Sequence, residues 1–482
     1  MTASEQAPPS TTAAPPGGKV RKALVLSFLN TVTGKLGTLL TGILLARILA
    51  PQDFGAFAVA LVALSAVLAI NELGVSLALV RWPGDPRDIA PTVTTISLVS
   101  SGLLYAACFF GAPAFSAALG APEATGVVRL LCLSVLIDGA TAASAQFVNR
   151  EFRQGVRLVV DLSNLALSTG ITVGLALADF GPSSLAWGRL AGNALSALLL
   201  FRLVSLWPRP GWDRAQAGPL LRFGLPLAGA SLLVFAMLNV DYIVVGNLLG
   251  AVALGLYLQA FNLASWPVNM FSTVVRRVSL AAFSRVQDDP AERELALRRF
   301  AQLLALTALP VSAVLGLLAL PIIRTLYGEQ WVGAAVALQF LAVLGMARVA
   351  GELAYDYLVA LGLSGRTLWI QGLWTGALVV ALPIGALLDG IRGVAAAHAL
   401  VAVLVVLPAY GLAVRGTGVS LRGVLAGVRR PVLGCAALCA VVAGVRLLLG
   451  QSLLELVLAG AAGGLVYLAV VFPMLKLLKD LR

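Results

Sequence analysis

The sequence predicts an all-α polytopic membrane protein with about 14 transmembrane helices. Its 482 residues are 59% hydrophobic and only 12% charged, whereas about a quarter of the residues of a soluble domain are charged. The apolar residues form long stretches separated by short loops, and the mean hydropathy is +0.94. Because one transmembrane helix takes about 20 apolar residues, this composition excludes a water-soluble fold.

The apolar stretches follow one another along the chain, and we number them spans 1 to 14. Their predicted limits are 23–46, 54–79, 90–113, 124–148, 158–178, 183–205, 220–246, 254–280, 300–323, 332–361, 367–388, 392–414, 431–449 and 453–475. Each stretch is bounded by Pro, Gly or charged residues that mark turns. The Thr-, Ala- and Pro-rich residues 1–21 precede them and are predicted to form a disordered tail.

Positive charge alternates between the two sides of the predicted membrane. Most of the 34 lysines and arginines fall in loops of one side, and the loops of the other side hold only Arg47, Arg324, Arg392 and Arg446. The positive-inside rule therefore predicts that both termini lie in the cytoplasm. It also explains the net charge of +12 by topology and by attraction to membrane lipids. Nucleic acid is not a predicted partner.

The chain carries an internal repeat. A shift of 200 positions places spans 1 and 2 on spans 7 and 8, with Gly55 on Gly255. A shift across six spans keeps the orientation, so the halves are predicted to be parallel repeats. The predicted units are the tail 1–21, an N-lobe at 22–205 (spans 1–6), a cytoplasmic linker at 206–218, a C-lobe at 219–415 (spans 7–12), and spans 13–14 at 428–475.

Polar side chains inside the spans are the candidate functional residues, since charge within a membrane is costly and usually functional. The candidate basic residues are Lys35, Arg129 and Arg276, with Arg47 and Arg189 as further candidates. A polar stripe on span 8 joins Gln259, Asn262, Asn269, Thr273 and Arg276 at helical spacing. Glu72 and Asp241 are candidates for binding a proton or a sodium ion. The alternative role for single polar residues is hydrogen bonding between helices.

Other polar residues favour structural roles. The four cysteines fall inside spans and are predicted to pack there, and His398 is predicted to be a core or gate residue. Arg348, Glu352 and Asp356 recur at helical spacing and are predicted to pair along their own helix. No phosphate-binding Gly-rich motif occurs, so direct use of ATP is not predicted. Neither a cofactor nor a metal is predicted.

Five short segments resemble one membrane transport family. They are residues 44–55 (LLARILAPQDFG), 72–80 (ELGVSLALV), 149–153 (NREFR), 241–246 (DYIVVG) and 255–257 (GLY). In order and spacing they are similar to the polysaccharide-transporter, or Wzx-type oligosaccharide flippase, family. That family belongs to the MOP superfamily, which also holds multidrug (MATE) antiporters and the lipid II flippase.

The resemblance implies a MATE-like V of two six-helix lobes followed by two C-terminal helices. It also implies a substrate, an undecaprenyl-diphosphate-linked oligosaccharide moved across the bacterial inner membrane by alternating access. The basic residues Lys35, Arg129 and Arg276, with Arg47 and Arg189, are then the predicted cationic contacts to the anionic diphosphate. Partners are then this lipid-linked oligosaccharide, membrane lipids, and glycan polymerase or assembly proteins. The alternatives are a drug antiporter, a scaffold for an assembly complex, and a glycan polymerase or ligase. The short outer loops argue against an enzyme, which would need a larger external site.

Overall fold

A computed structural model describes residues 17–81, 85–151, 153–204, 207, 209–287, 289–449 and 453–474. Within these ranges it describes every side chain except those of 17–29, 72–74, 80–81, 149, 269–278, 280–281, 449 and 453–455. The described part consists of helices and short connections, which confirms the predicted all-α membrane fold. The main α-helices are Gly17–Ile48, Pro51–Ile70, Pro86–Ala118, Thr125–Cys132, Ser134–Arg150, Gln154–Leu177, Pro182–Val204, Arg214–Arg285, Pro290–Leu317, Ala319–Leu326, Ala334–Ala360, Ser364–Val401, Leu407–Arg415, Leu421–Leu449 and Leu453–Val471.

The number of spans agrees with the prediction once two helical hairpins are recognised. Eleven described helical stretches are long and apolar enough to cross a membrane. Two of them are divided at glycines with positive φ, Gly250 (82°) and Gly390 (52°). Across Gly250 the rings of Tyr242 and Tyr257 lie 6.0 Å apart, so the two halves run antiparallel as spans 7 and 8. With spans 11 and 12 divided in the same way and Pro182–Val204 as span 6, the described residues form fourteen spans.

Aspartates begin three spans on one side of the molecule. Asp85, Asp213 and Asp289 precede spans 3, 7 and 9, and each side chain accepts a hydrogen bond from a backbone N–H of the first helical turn. Such N-caps satisfy groups that have no partner within the helix. We call this side, where span 1 begins and span 14 ends, the terminal side, and the opposite one the distal side.

The two lobes meet chiefly where span 2 packs along the hairpin of spans 7 and 8. Small residues dominate span 2, and half of it is buried inside the protein. The core extends from this contact into the C-lobe, where Tyr257, Phe283, Trp331 and Tyr357 are fully buried. Trp331 also stacks edge-on against Phe54 of the N-lobe, with ring centres 5.1 Å apart. The lobe contact is therefore continuous with the core.

Spans 13 and 14 pack on the outside of the C-lobe, against span 9. Tyr467 donates a hydrogen bond of 2.8 Å to the carbonyl oxygen of Leu306. Arg446 donates one of 3.2 Å to that of Leu317. These contacts lie away from the lobe contact, so the two trailing spans do not line it.

Candidate functional site: the cleft between the lobes

On the distal side, the cleft is closed by two reciprocal backbone contacts. A Cβ atom at Gly55 would overlap the carbonyl group of Ala251, and one at Gly255 would overlap the carbonyl group of Pro51. The partners are again related by 200 positions, because Gly55 matches Gly255 and Pro51 matches Ala251. This reciprocity is what a two-fold axis between parallel repeats produces. We call these four residues the glycine seam.

On the terminal side of the glycine seam, a cavity of ≈ 360 Å³ separates the lobes. Spans 2 and 4 of the N-lobe face span 7 of the C-lobe across it. Its polar lining residues are Asn71, Ser76, Asp138, Thr141, Gln146 and Ser231. The cavity is thus rich in the amide, hydroxyl and carboxylate groups that hydrogen-bond to sugar hydroxyls.

One acidic and one basic residue stand together beside this cavity. Asp138 on span 4 lines it, and the charge of Arg189 on span 6 lies close enough to interact with the Asp138 carboxylate. The Arg189 side chain is exposed. Only Asp138 is part of the cavity wall, and the positive charge of Arg189 lies behind it and opposes its negative charge.

A second polar cluster lies inside the C-lobe, outside the cavity. Asp241 is 2% exposed and accepts a hydrogen bond of 3.1 Å from the hydroxyl group of Tyr257. The same carboxylate oxygen lies 3.8 Å from Nδ1 of His398. The guanidinium group of Arg348 lies 5.8 Å from the centre of the Phe261 ring and its charge interacts with Asp241. Spans 7, 8, 10 and 12 therefore place a carboxylate, a phenol, an imidazole and a guanidinium around one point.

The predicted cationic contacts are dispersed. Lys35 is exposed, and no ion pair or hydrogen bond joins it to another described side chain. Arg129 stays within its lobe, since its Nε donates to the carbonyl oxygen of Phe109 at 3.0 Å and its guanidinium stacks on the Phe109 ring. Arg47 lies at the distal rim and donates to the carbonyl oxygens of Thr325 and Leu326.

The predicted polar stripe on span 8 is only partly described. Gln259 is 3% exposed and its amide nitrogen has no hydrogen-bond partner among the described residues, whereas Asn262 is exposed. The stripe thus passes from the buried to the exposed part of the helix surface within one turn. Side chains of four predicted site residues lie outside the described residues: Glu72, Asn269, Thr273 and Arg276.

The sequence analysis missed Asp138, and it assigned His398 and Arg348 to other roles. Asp138 stands in a span next to Gly139 and carries no distinctive motif. Tyr257 and His398 approach Asp241 from spans 8 and 12, so only the fold brings them together. The one available signal was the rarity of charge in apolar spans, which marks all of Asp138, Asp241 and Arg348. Among the described residues, no group of three or more His, Cys, Asp or Glu side chains could hold a metal ion.

Comparison with known proteins identifies the family. Residues 44–336 match the sequence profile of the family described as "Polysaccharide biosynthesis protein". This match covers more than half of the 482 residues. The chain belongs to the polysaccharide biosynthesis protein family. The resemblance inferred from the short motifs is confirmed.

Individual relatives of this protein agree with the family assignment. The succinoglycan biosynthesis transport protein ExoT of Rhizobium meliloti (strain 1021) is 29% identical over 323 residues, which span 65% of this chain and 64% of ExoT. The lipopolysaccharide biosynthesis protein WzxC of Escherichia coli (strain K12) is 24% identical over 376 residues, 76% of this chain and 75% of WzxC. The chain thus spans about two thirds to three quarters of the length of these relatives.

The fold of this family member is similar to that of the lipid II flippase MurJ in an inward closed conformation. The two structures superimpose with a TM-score of 0.74 over 96% of this chain and 100% of MurJ, at 15% sequence identity. The predicted all-α membrane fold of about 14 helices is therefore confirmed. The polar cavity lies between the glycine seam and a second contact on the terminal side, where Leu220 of span 7 packs with Val75 and Val93 of the N-lobe.

Proposed function

We propose that this protein is a flippase that carries an undecaprenyl-diphosphate-linked oligosaccharide, a lipopolysaccharide or exopolysaccharide precursor, across the bacterial inner membrane. One relative is named as a transport protein and another as a lipopolysaccharide biosynthesis protein, and the fold is similar to that of a lipid flippase. These names support a transporter rather than an enzyme. The terminal side, rich in arginine, faces the cytoplasm in this proposal. The cavity then lies on the side of the leaflet in which such precursors are made.

The polar cavity between the lobes is the observation that carries this proposal. A lipid-linked sugar has a hydrophilic head group that hydrocarbon would strip of its water, and hydrogen-bonding groups in a cavity replace that water. A volume of ≈ 360 Å³ is at the lower end of about 300–1,000 Å³ for small-molecule pockets. It therefore holds the sugars next to the diphosphate, while the prenyl chain stays in the lipid.

The diphosphate needs cationic partners inside the membrane. Lys35 is the proposed partner because its side chain is exposed and no ion pair or hydrogen bond joins it to another described side chain. It lies on span 1 and is not among the residues that line the cavity. The weaker candidates are Arg276, Arg129, Arg47 and Arg189. Of these, Arg129, Arg47 and Arg189 already interact with other groups. Gln259 and Asn262, with Asn269 and Thr273, are proposed to contact sugar hydroxyls as the lobes rearrange.

Asp241 is the proposed site of ion coupling, with Glu72 as a second candidate. Its carboxylate is buried in the C-lobe beside the Tyr257 hydroxyl and His398, so binding a proton or a cation changes the charge at a point that water does not screen. Adding or removing one charge inside a packed lobe is able to bias the conformation of that lobe. A glycan polymerase and assembly proteins are proposed partners downstream of transport.

A drug antiporter is the second candidate function, and Asp138 favours it because a carboxylate in the cavity attracts organic cations. The charge of Arg189 opposes this attraction, so the cavity does not act as a cation trap. We therefore retain the flippase as the first candidate. The two functions differ in the charge of their cargo, which makes them separable by experiment.

The decisive experiment is transport in proteoliposomes that contain the full-length protein. A lipid-linked oligosaccharide carrying a fluorescent sugar is placed in both leaflets, and an impermeant reagent quenches the sugar in the outer leaflet. We expect the protein to increase the quenched fraction beyond that of empty liposomes, and to leave ethidium uptake unchanged. Ethidium transport without movement of the sugar lipid would contradict the flippase and support the antiporter.

A further inference from the structure

Two hydrogen-bonding contacts cross between the lobes at the distal rim. Arg47, at the end of span 1, reaches the C-lobe, where its Nε donates a hydrogen bond of 2.9 Å to the carbonyl oxygen of Leu326 and its Nη2 donates to that of Thr325. Asn247, near the end of span 7, reaches the N-lobe, where its Nδ2 donates a hydrogen bond of 2.6 Å to the carbonyl oxygen of Ala118. Each lobe thus donates a side-chain hydrogen bond to a helix end of the other.

The two contacts are equivalents in the internal repeat. Arg47 and Asn247 are 200 positions apart, the same shift that relates the two halves of the glycine seam. Their acceptors are equivalent too, because Ala118 ends span 3 and Leu326 ends the helix that continues span 9. We call the two contacts together the distal clasp, formed by Arg47 with Thr325 and Leu326 and by Asn247 with Ala118.

The acceptors are groups that need a partner. The last carbonyl groups of a helix have no hydrogen-bond donor within that helix, and the helix end carries partial negative charge. Arg47 meets this charge with a permanent positive charge and a fork of donors. Asn247 supplies a neutral donor to the equivalent helix end. The three acceptor carbonyl groups therefore have these donors only while the lobes touch on the distal side.

We propose that Arg47 and Asn247 are paired gate residues, whose cross-lobe hydrogen bonds hold the distal side closed and must break in every transport cycle. The indole nitrogen of Trp331 and the amide of Gln330 add donors from the C-lobe to the carbonyl oxygen of Ala46, at 2.7 and 2.9 Å. The clasp thus surrounds the glycine seam with bonds that exist in only one of the two states. This role for Arg47 differs from the cargo contact that its charge suggested, and it does not depend on the chemical nature of the cargo.

Thiol labelling from the distal side measures this gate directly. Val62 lies two helical turns from Gly55 on the same face of span 2 and is 2% exposed. A Val62→Cys variant, in a full-length chain whose four native cysteines are replaced by Ala, is reconstituted and treated with a membrane-impermeant maleimide. The labelling rate follows the fraction of molecules with an open distal side.

We expect Arg47→Ala to raise the labelling rate about 10-fold, because hydrogen bonds to charged groups are among the stronger ones. Asn247→Ala is expected to raise it about 3- to 10-fold, as one neutral hydrogen bond is lost. The matched control is Arg392→Ala, which removes a distal arginine whose ion pair with Asp389 stays within the C-lobe. This control is expected to label at the parental rate.

The following outcomes of the labelling and transport measurements would overturn the proposal. Parental labelling in Arg47→Ala, in Asn247→Ala and in the double variant would overturn it, and so would an equal rise in Arg392→Ala. Reduced sugar transport by Arg47→Ala with parental labelling would return Arg47 to the cargo site and also overturn the gate. Thermal unfolding of each variant identifies misfolded protein. Arg47→Gln keeps a hydrogen-bond donor without the charge and gives a second measurement at the same position. Its labelling rate is expected to lie between those of the parent and of Arg47→Ala.

Discussion

Substituting Gly255 by alanine tests whether the two lobes touch through their backbones. The ideal Cβ of this alanine would overlap the carbonyl oxygen of Pro51 and would lie 2.9 Å from the backbone nitrogen of Gly55 and 3.1 Å from the carbonyl carbon of Pro51. All three neighbours are backbone atoms, so no side-chain rotation relieves the overlap. Spans 2 and 8 must move apart, and only the distal-closed state requires their contact.

The expected magnitude follows from overpacking. Forcing an extra methyl group into a packed contact typically costs about 1–3 kcal/mol. Alanine also improves helix propensity by about 1 kcal/mol over glycine, but this gain is equal in both states and does not change their ratio. The ratio of distal-open to distal-closed molecules should therefore rise by about 5- to 150-fold for 1–3 kcal/mol.

Three variants complete this experiment, again read by labelling of Val62→Cys from the distal side. Gly55→Ala should reproduce the effect of Gly255→Ala, since its Cβ would overlap the carbonyl group of Ala251. Gly102→Ala is the matched control, because a Cβ there meets no atom within 4 Å, and Gly255→Ser tests a larger substituent. Parental labelling in Gly55→Ala and Gly255→Ala, with unfolding temperatures equal to that of Gly102→Ala, would refute the backbone contact.

Three further predictions concern the polar residues, all measured in proteoliposomes. Lys35→Ala should reduce transport of the lipid-linked sugar at least about 10-fold, as expected for loss of a charged hydrogen-bond donor, while Lys35→Arg retains most of it; equal rates in both would remove Lys35 from the site. Asp241→Asn should abolish the stimulation of transport by an imposed proton or sodium gradient, whereas Asp389→Asn, on the distal surface, should keep it. Arg189→Gln should permit uptake of ethidium because Asp138 loses its opposing charge, and the additional Asp138→Asn should remove that uptake; ethidium uptake that persists in the double variant would show that Asp138 does not attract it.

The fold was predictable because its causes are local in the sequence. Apolar spans and the uneven distribution of loop charges can be read directly from the order of the residues. Neither prediction changes when a helix end is misplaced by a few positions. The repeat was predictable for the same reason, since a shift of 200 residues aligns Gly55 with Gly255 without a gap. The glycine seam then gives that alignment a physical cause, because neither position has room for a side chain.

The site was harder to predict because its residues meet only through the fold. Asp241, Tyr257 and His398 come from three spans, and no spacing in the sequence relates His398 to the other two. Arg47 shows the opposite problem: its charge was recognised, but its acceptors are backbone carbonyl groups, which every residue possesses. A positive charge near a span end predicted a cargo contact, which stays a prediction, and the structure adds a contact between lobes that the sequence did not indicate.

The distal closure is weak enough to be reversed by ordinary ligand binding. Within a membrane the small-residue contact gains no hydrophobic stabilisation, and Arg47 and Asn247 are both exposed, which limits the contribution of each. The Phe54–Trp331 ring pair adds about 0.5–1.5 kcal/mol. A ligand shifts a two-state equilibrium from 1:99 to 99:1 when it favours one state by about 5.5 kcal/mol. A diphosphate head group, which forms several charge-assisted hydrogen bonds at once, supplies free energy of that order, whereas a distal side closed by a buried ion-pair network would resist it. The modest strength of the clasp and seam is therefore the property that lets one binding event open the far side of the membrane.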